Sequence, residues 1–490
     1  MNAHEKLAFQ RTGAQYFAAL RDDRHVVYGG KRVPDVSSHF ALSGGARTIA
    51  SLIDLHHGDE RDAMNFQCPA TGREYAMAYM IPRSPQQMKQ KGAAFRNIAR
   101  ATGGLMARTP DFLATMLTSW RAASEVFGGK DARYAHNVVS YYERSRDRHW
   151  CHSHAISDPP PDRFLDVDAG DTLTLRKVGE TRDGIIVRGI KMLATLSPIA
   201  DELLIYPFRP LNKDDSSQAL AFAIPVDTPG LKLVCRGAIA RGGAQFEHPL
   251  AEKFDEMDAL CVFDDVIVPH DRVFIDGDVG FANALRTETG MVAYVWHQTA
   301  SRAAVKSQMV LGLASMLARL SGRDKQPSVQ EMLGELAAGS EVLRALVVAA
   351  EAESVRDRFG NYVPALQSLG ASNVVAAKLY ARSIDLLRLI GASGLIMHPS
   401  ELDLLGDASD GMLRYFAASN QDAGTHVQLM KLASDLAIGD FGGRQLLYEQ
   451  FYLGAPQALQ ARFFQNYASV QDAERLVETL LVQPGTSSIG

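Results

Sequence analysis

Three consecutive prolines, Pro159 to Pro161, constrain the fold of this chain more than any other stretch. Each ring locks φ and removes a backbone donor, so residues 151 to 163 enter neither a helix interior nor a central strand and run rigid and extended. The chain changes texture across this segment. Upstream, residues 7 to 22, 46 to 57 and about 85 to 148 carry apolar residues at helical spacing, the last span interrupted at Gly103-Gly104 and Thr109-Pro110. Gly29-Gly30, between short apolar runs, marks a tight hairpin, because two-residue turns need positive φ. Downstream, short β-type runs at 173–175, 184–187, 219–224, 231–234 and 260–263 alternate with turn signals such as Thr228-Pro229-Gly230. From about residue 281 helical periodicity returns, at 303–320, 329–353, 365–390 and 427–438, with apolar stripes that need a shared core. The expected architecture is mainly α with a central β domain: an N-terminal helical domain over 1–149, a middle β domain over 150–278 and a C-terminal helical bundle over 279–490.

A chain of 490 residues is long enough for two or three such domains. Its net charge of −5 and the lack of a long basic run argue against nucleic acid and against an anionic membrane surface as partners. The first residues show neither the apolar core nor the cleavage site of a signal peptide, and no apolar run is long enough to span a bilayer. The four cysteines, at 68, 151, 235 and 261, are widely spaced with no Cys-x-x-Cys, so they read as reduced thiols of a cytoplasmic protein.

No Gly-x-Gly-x-x-Gly follows a strand, and the Gly-Lys-Ser/Thr of a phosphate loop is missing. Other residues carry the chemistry. His152 and His154 stand two apart in the extended segment and point to one face; no third or fourth ligand at a convincing spacing accompanies them, so no metal is expected. Pro110 suits the first turn of a helix that Thr109 caps, and Arg108 at that N-terminus favours an anion or a reduced oxygen species, unless it is only a surface arginine at a helix junction. His297, near the start of an apolar helical run, is either a satisfied core histidine or a catalyst. Phe441-Gly442-Gly443-Arg444 follows an amphipathic stretch; paired glycines let a ligand approach the backbone and Arg444 suits a phosphate, although a helix C-cap looks the same.

Several stretches, in order along most of the chain, resemble one family. They are Tyr16-Phe-Ala-Ala-Leu-Arg-Asp-Asp-Arg24, Arg32-Val-Pro-Asp-Val-Ser-Ser-His39, Arg108-Thr-Pro-Asp111, His154-Ala-Ile156 with Pro159-Pro160 and Asp162-Arg163, Gly189-Ile-Lys-Met-Leu-Ala-Thr195, Ser393-Gly-Leu-Ile396 and Phe441-Gly-Gly-Arg444. Together they resemble the flavin-dependent 4-hydroxyphenylacetate 3-monooxygenase family, oxygenase component, with its chlorophenol- and nitrophenol-oxidising relatives. The resemblance implies an acyl-CoA-dehydrogenase-like fold and a homotetramer, a dimer of dimers. It implies reduced FAD delivered by a separate NAD(P)H:flavin reductase, molecular oxygen as co-substrate, and hydroxylation of a small aromatic substrate through a C4a-hydroperoxyflavin.

By position, the resemblance places Arg108 and His154 beside the flavin's reactive edge and the substrate hydroxyl. It assigns flavin contacts to His154, Ala155, Ile156, Pro160, Pro161, Asp162, Arg163, Thr195, Phe441, Gly442, Gly443 and Arg444. It sets His297 where halophenol- and nitrophenol-oxidising relatives carry a catalytic base, so that Arg108, Phe112, His154 and His297 would face the substrate. Phe112 departs from the Tyr of 4-hydroxyphenylacetate enzymes and removes one hydrogen bond to the substrate, which favours another phenol or aromatic. The same superfamily holds the redox-neutral 4-hydroxybutyryl-CoA dehydratase, whose paired cluster cysteines are replaced here by Arg108 and Phe112. That activity and a non-catalytic scaffold are the alternatives.

Overall fold

The computed structural model describes residues 11–159, 173–243, 245–407, 409–417 and 422–481. The N-terminal region opens with α1 (Gly13–Ala19), started by a capping box between Thr12 and Gln15. The strands β1 (His25–Tyr28) and β2 (Lys31–Arg32) follow, turning through Gly29 and Gly30 at φ of 57° and 77°, as the glycine pair predicts. Then come α2 (Phe40–Asp54), α3 (Pro85–Ala101), α4 (Pro110–Ala122) and α5 (Ala132–Arg148). The expected breaks at Gly103-Gly104 and Thr109-Pro110 separate α3 from α4, with both glycines at positive φ.

The β region has two sheets. Its strands are β3 (His152–Ala155), β4 (Arg176–Glu180), β5 (Gly184–Thr195), β6 (Glu202–Ile205), β7 (Leu220–Pro225), β8 (Leu231–Cys235), β9 (Asp258–Pro269) and β10 (Val273–Asp276). One sheet has the order β2-β1-β8-β9-β5-β4, the other β10-β7-β6-β3. Leu203, Ile205, Phe222 and Ile224 of the second share a core with Ile185, Val187, Leu233 and Phe263 of the first and with Ile49, Leu52 and Ile53 of α2. The N-terminal hairpin belongs to this sheet, because β1 runs parallel to β8 with His25 opposite Lys232. An isolated two-stranded ribbon is marginal in water, and docking on β8 buries Val26 completely.

Beyond residue 290 the chain is a helical bundle of α6 (Met291–Leu320), α7 (Pro327–Ala352), α8 (Leu366–Gly391), α9 (Ala423–Ala437) and α10 (Asp440–Phe451). The central helix α6 packs on α7 and α8 on one side and on α3 and α4 on the other, joining the two helical regions. No described helix is long and apolar enough to cross a membrane.

Candidate active site

The loop between α3 and α4 is clamped from three sides. A Cβ on Gly104 would lie 2.8 Å from Lys306 and from the Arg302 carbonyl, so only glycine lets the loop lie this close to α6. Arg302 Nη1 donates to the Gly104 carbonyl at 2.9 Å. Glu256, fully buried, accepts the backbone N–H groups of Ala107 and Arg108 at 2.8 and 2.7 Å. The Arg108 side chain leaves this loop, stacks 4.2 Å over the Phe112 ring and donates to the Tyr448 hydroxyl of α10 at 2.6 Å. Its Nε is buried without a partner, and among the described residues no carboxylate pairs with it. Thr109 takes the cap position, as expected, but its hydroxyl donates to Asp111 at 2.5 Å instead of accepting from the helix.

His154 comes from β3. Its ring meets Phe112 edge-on at 5.7 Å, and its Nδ1 lies 2.8 Å from the Tyr206 hydroxyl just past β6. Burial, and then the charge of Arg108, hold its pKa well below the usual imidazole value, so the ring is neutral. His152, on the same face, turns to Ser145 at 3.2 Å.

From His154 the contacts continue toward α10. Ser153 donates to the Thr195 carbonyl at 2.7 Å, and the Thr195 hydroxyl donates to Asp258 at 2.7 Å. Asp258 also receives Arg236 at 2.9 Å and Arg444 at 3.0 Å, and Arg444 lies 3.6 Å from Glu256. Burial pushes the Asp258 carboxyl up, but the two guanidinium groups outweigh it and hold it ionised. From Ser153, next to His154, contacts thus run through Thr195, Asp258, Arg444 and Glu256 to the backbone of Arg108.

Phe441-Gly442-Gly443-Arg444 forms the first turn of α10, the N-terminal end of a helix and not a C-cap. Phe441 is fully buried in the bundle core, and a Cβ on Gly442 would sit 1.9 Å from the Leu436 carbonyl, whereas Gly443 has open space where a Cβ would be. Ala155 is buried and Ile156 packs at the edge of the core that holds Phe112. Pro160, Pro161, Asp162 and Arg163 lie outside the described residues. The polar loop at 209–218 ties back to the proline segment through Arg209, 3.1 Å from Asp158.

His297 stands apart. Its Nε2 donates to Glu351 of α7 at 3.0 Å, Glu351 also takes Arg96 at 2.5 Å, and the ring packs edge-on against Phe95. A Cβ on Gly92 would lie 1.9 Å from the Glu351 carboxylate and 2.8 Å from His297 Nε2, so α3 is pressed against the pair. No described contact joins His297 to Arg108, Phe112 or His154, and its hydrogen-bond partner is Glu351. Four residues of the site escaped the sequence reading: Glu256, Asp258, Tyr448 and Tyr206. The run Asp255-Glu256-Met257-Asp258 looks like a solvated acidic turn, and Tyr448 sits on an unremarkable amphipathic helix. Leu203-Leu204-Ile205-Tyr206, bounded by Asp201-Glu202 and Pro207, was a usable strand signal for the fourth.

A helical region, two packed sheets and a long helical bundle make up the acyl-CoA-dehydrogenase-like fold. A 4-hydroxybutyryl-CoA dehydratase from N. maritimus shares it, with a TM-score of 0.85 at 20% identity over 96% of this chain and 94% of that one, a likeness of fold alone. Within that class the chain belongs to the 4-hydroxyphenylacetate 3-hydroxylase family, matching its N-terminal description over residues 12–275 and its C-terminal description over 282–481. It is similar to the 4-hydroxyphenylacetate 3-monooxygenase oxygenase component of Thermus thermophilus, 34% identical across 95% of this chain and 96% of that one. A 4-nitrophenol 2-monooxygenase oxygenase component from Rhodococcus sp. is 30% identical across 94% and 89%. A crystal structure of a 4-hydroxyphenylacetate 3-monooxygenase oxygenase component complexed with FAD and 4-hydroxyphenylacetate matches with a TM-score of 0.90, 34% identity and coverage of 96% and 98%.

Proposed function

We propose that this protein is the oxygenase component of a two-component, reduced-FAD-dependent monooxygenase that hydroxylates a phenolic or related aromatic compound. The observation that carries the reading is Arg108: a cation with no carboxylate partner among the described residues, stacked on Phe112, next to the neutral imidazole of His154. Overall, an aromatic C–H, dioxygen and reduced FAD give the hydroxylated ring, water and oxidised FAD. The residues fit the cofactor, since Arg108 Nε is a buried donor without a partner and Gly443 leaves open space at the start of α10. His154, Ala155, Ile156, Thr195, Gly442 and Gly443 would hold it, with Pro160, Pro161, Asp162 and Arg163 as further contacts. Arg444, already neutralised by Asp258, would fix the rim of the site. Reduced FAD supplies the two electrons that activate dioxygen.

The chain's own residues do the rest. Arg108 draws the substrate oxygen and any developing negative charge toward itself. His154 holds a second hydrogen bond there. Phe112 offers a ring face but no hydroxyl, so the substrate oxygen meets two protein groups, which favours a phenol other than 4-hydroxyphenylacetate. The buried surround of Phe112, His154 and Tyr206 excludes water that would divert activated oxygen to peroxide.

The reduced cofactor would come from a separate NAD(P)H:flavin reductase, in keeping with the missing dinucleotide fingerprint. Assembly into a homotetramer, a dimer of dimers, is supported by large apolar residues exposed on the C-terminal helices, among them Leu389, Leu447, Phe451 and Phe464. Free cysteines suit the cytoplasm. The test is anaerobic mixing of the protein with reduced FAD, then rapid mixing with oxygen, followed by absorbance. A transient unlike reduced or oxidised FAD, which decays faster with a phenol and yields hydroxylated product, supports the reading. Immediate reoxidation with one equivalent of hydrogen peroxide and no product overturns it.

A further inference from the structure

We infer that Tyr206 is a positioning residue that fixes the tautomer of His154, so that the imidazole presents Nε2–H to the site as a hydrogen-bond donor. The inference rests on the reading of His154 given above and adds to it a residue and a direction. Tyr206 follows the end of β6, which lies parallel to β3 with His154 opposite Leu204 and Ala155 opposite Ile205. Its ring is buried and meets Trp120 edge-on at 5.7 Å, and Trp120 in turn packs on Phe127 and Phe274. The tyrosine is therefore held by its ring, and its hydroxyl stands 2.8 Å from His154 Nδ1.

One proton arrangement pairs the Tyr206 hydroxyl and puts the remaining donor on His154 Nε2, which is not among the enclosed polar atoms without a partner. Among the described residues the Tyr206 hydroxyl has a single hydrogen-bond partner, His154 Nδ1. With a proton on Nδ1, the imidazole would donate to the phenolic oxygen and the buried O–H would be left without an acceptor. A buried donor without a partner is costly, whereas an oxygen with a spare lone pair is not. The hydroxyl therefore donates to Nδ1, and the single proton of the neutral ring sits on Nε2. Among the described residues the charged groups near the pair are Arg108, which disfavours a second proton on the ring, and Arg286, which acts on the Tyr206 hydroxyl. Burial pushes the Tyr206 hydroxyl up to about 12, against the pull of those arginines, so it keeps the proton it donates. His154 Nε2 has no described partner, and it shares the Phe112 ring with Arg108. The two residues thus offer donors to one ligand oxygen, and His154 in this state cannot take a proton at Nε2.

The experiment uses the full-length protein labelled with 15N in its histidines, with His154 assigned by the signal lost in His154→Gln. At neutral pH the wild type is expected to show a protonated Nε2 and a bare Nδ1, and Tyr206→Phe, which keeps the ring, is expected to show a mixture of tautomers. A proton on Nδ1 in the wild type, or an unchanged tautomer in Tyr206→Phe, overturns the inference. In turnover, Tyr206→Phe should lower kcat for hydroxylation roughly fivefold, the worth of one buried hydrogen bond, with KM for reduced FAD nearly unchanged. In a His154→Gln background, where the side-chain amide donates without help, the same change should cost nothing further; an equal loss in both backgrounds makes Tyr206 a packing residue and overturns its assignment. Unchanged hydroxylation in His154→Ala, which removes the donor altogether, would instead overturn the functional reading of His154, while the NMR signal still decides the tautomer.

Discussion

Two clusters of charge meet on α10, one residue apart, and they are wired in opposite ways. Glu449 is buried against Arg302, at 2.6 and 3.0 Å, and against Lys306, at 2.9 Å, with Gln445 taking a further bond from Lys306 at 2.5 Å. Burial would push the Glu449 carboxyl up, yet the two cations bring it down to about 2; burial lowers Lys306 to about 8 and Glu449 offsets only part of that. Next to it, Tyr448 takes Arg108, whose charge has no such answer among the described residues. A neutralised cluster holds helices together, and removing one member leaves buried charge behind. An unanswered cation held by dipoles, a ring face and a rigid loop is available to a ligand. The two share a frame, since Arg302 also holds the Gly104 carbonyl of the Arg108 loop.

The contrast breaks most visibly at Glu449. Glu449→Ala strands Arg302 and Lys306 in the core and is expected to cost about 3–5 kcal/mol in chemical denaturation. Arg108→Met should do the reverse: hydroxylation falls roughly a hundredfold, while stability changes by less than about 1 kcal/mol. Comparable destabilisation by both substitutions would erase the distinction. His297→Ala removes one of two partners of Glu351 and should lower stability by about 1–3 kcal/mol with little effect on kcat per folded enzyme. Lost hydroxylation at unchanged stability would establish His297 as the base.

The smallest effect sharpens the electrostatics of the Arg108 loop. Burial raises the Asp111 carboxyl from 3.8 to about 6, against hydrogen bonds from Thr109 and Gln298 that lower it. Between those values the folded protein keeps a proton that the unfolded chain has released, so stability falls as pH rises across the window and is level above it. Asp111→Asn removes this slope. The stability difference between variant and wild type should shift in the variant's favour by of order 2 kcal/mol from pH 4 to pH 6, and no shift would mean that Asp111 is ionised throughout.

Much of the fold was legible because its signals are local. Helical periodicity, Pro110 at a first turn and the Gly29-Gly30 turn each lie within a few residues of what they specify. The strand β6 was not read although its apolar run is bounded by turn residues: its four residues are all buried, so it lacks the alternation that marks a half-exposed strand and only its length and borders could have shown it. The pairing of β1 with β8 joins residues too far apart for any window to see. The candidate site divides in the same way. Arg108, His154, Thr195 and Arg444 fell in recognisable segments, but the carboxylates that organise them did not, because Arg108 meets Glu256 across 148 residues and Tyr448 across 340. His297, in the position where the resemblance puts a base, pairs with Glu351 across 54 residues, a contact no local signal shows.

The pairing of His25 with Lys232 has a consequence for how the chain is made. A ribosome adding roughly 5–20 residues each second presents the first hairpin many seconds before its sheet partner exists. The loop of Arg108 waits longer, for Glu256, then Arg302, and finally Tyr448, 340 residues downstream. Until Tyr448 is made, the Arg108 side chain lacks the hydroxyl it donates to, so the candidate pocket is completed only after residue 448 has been added.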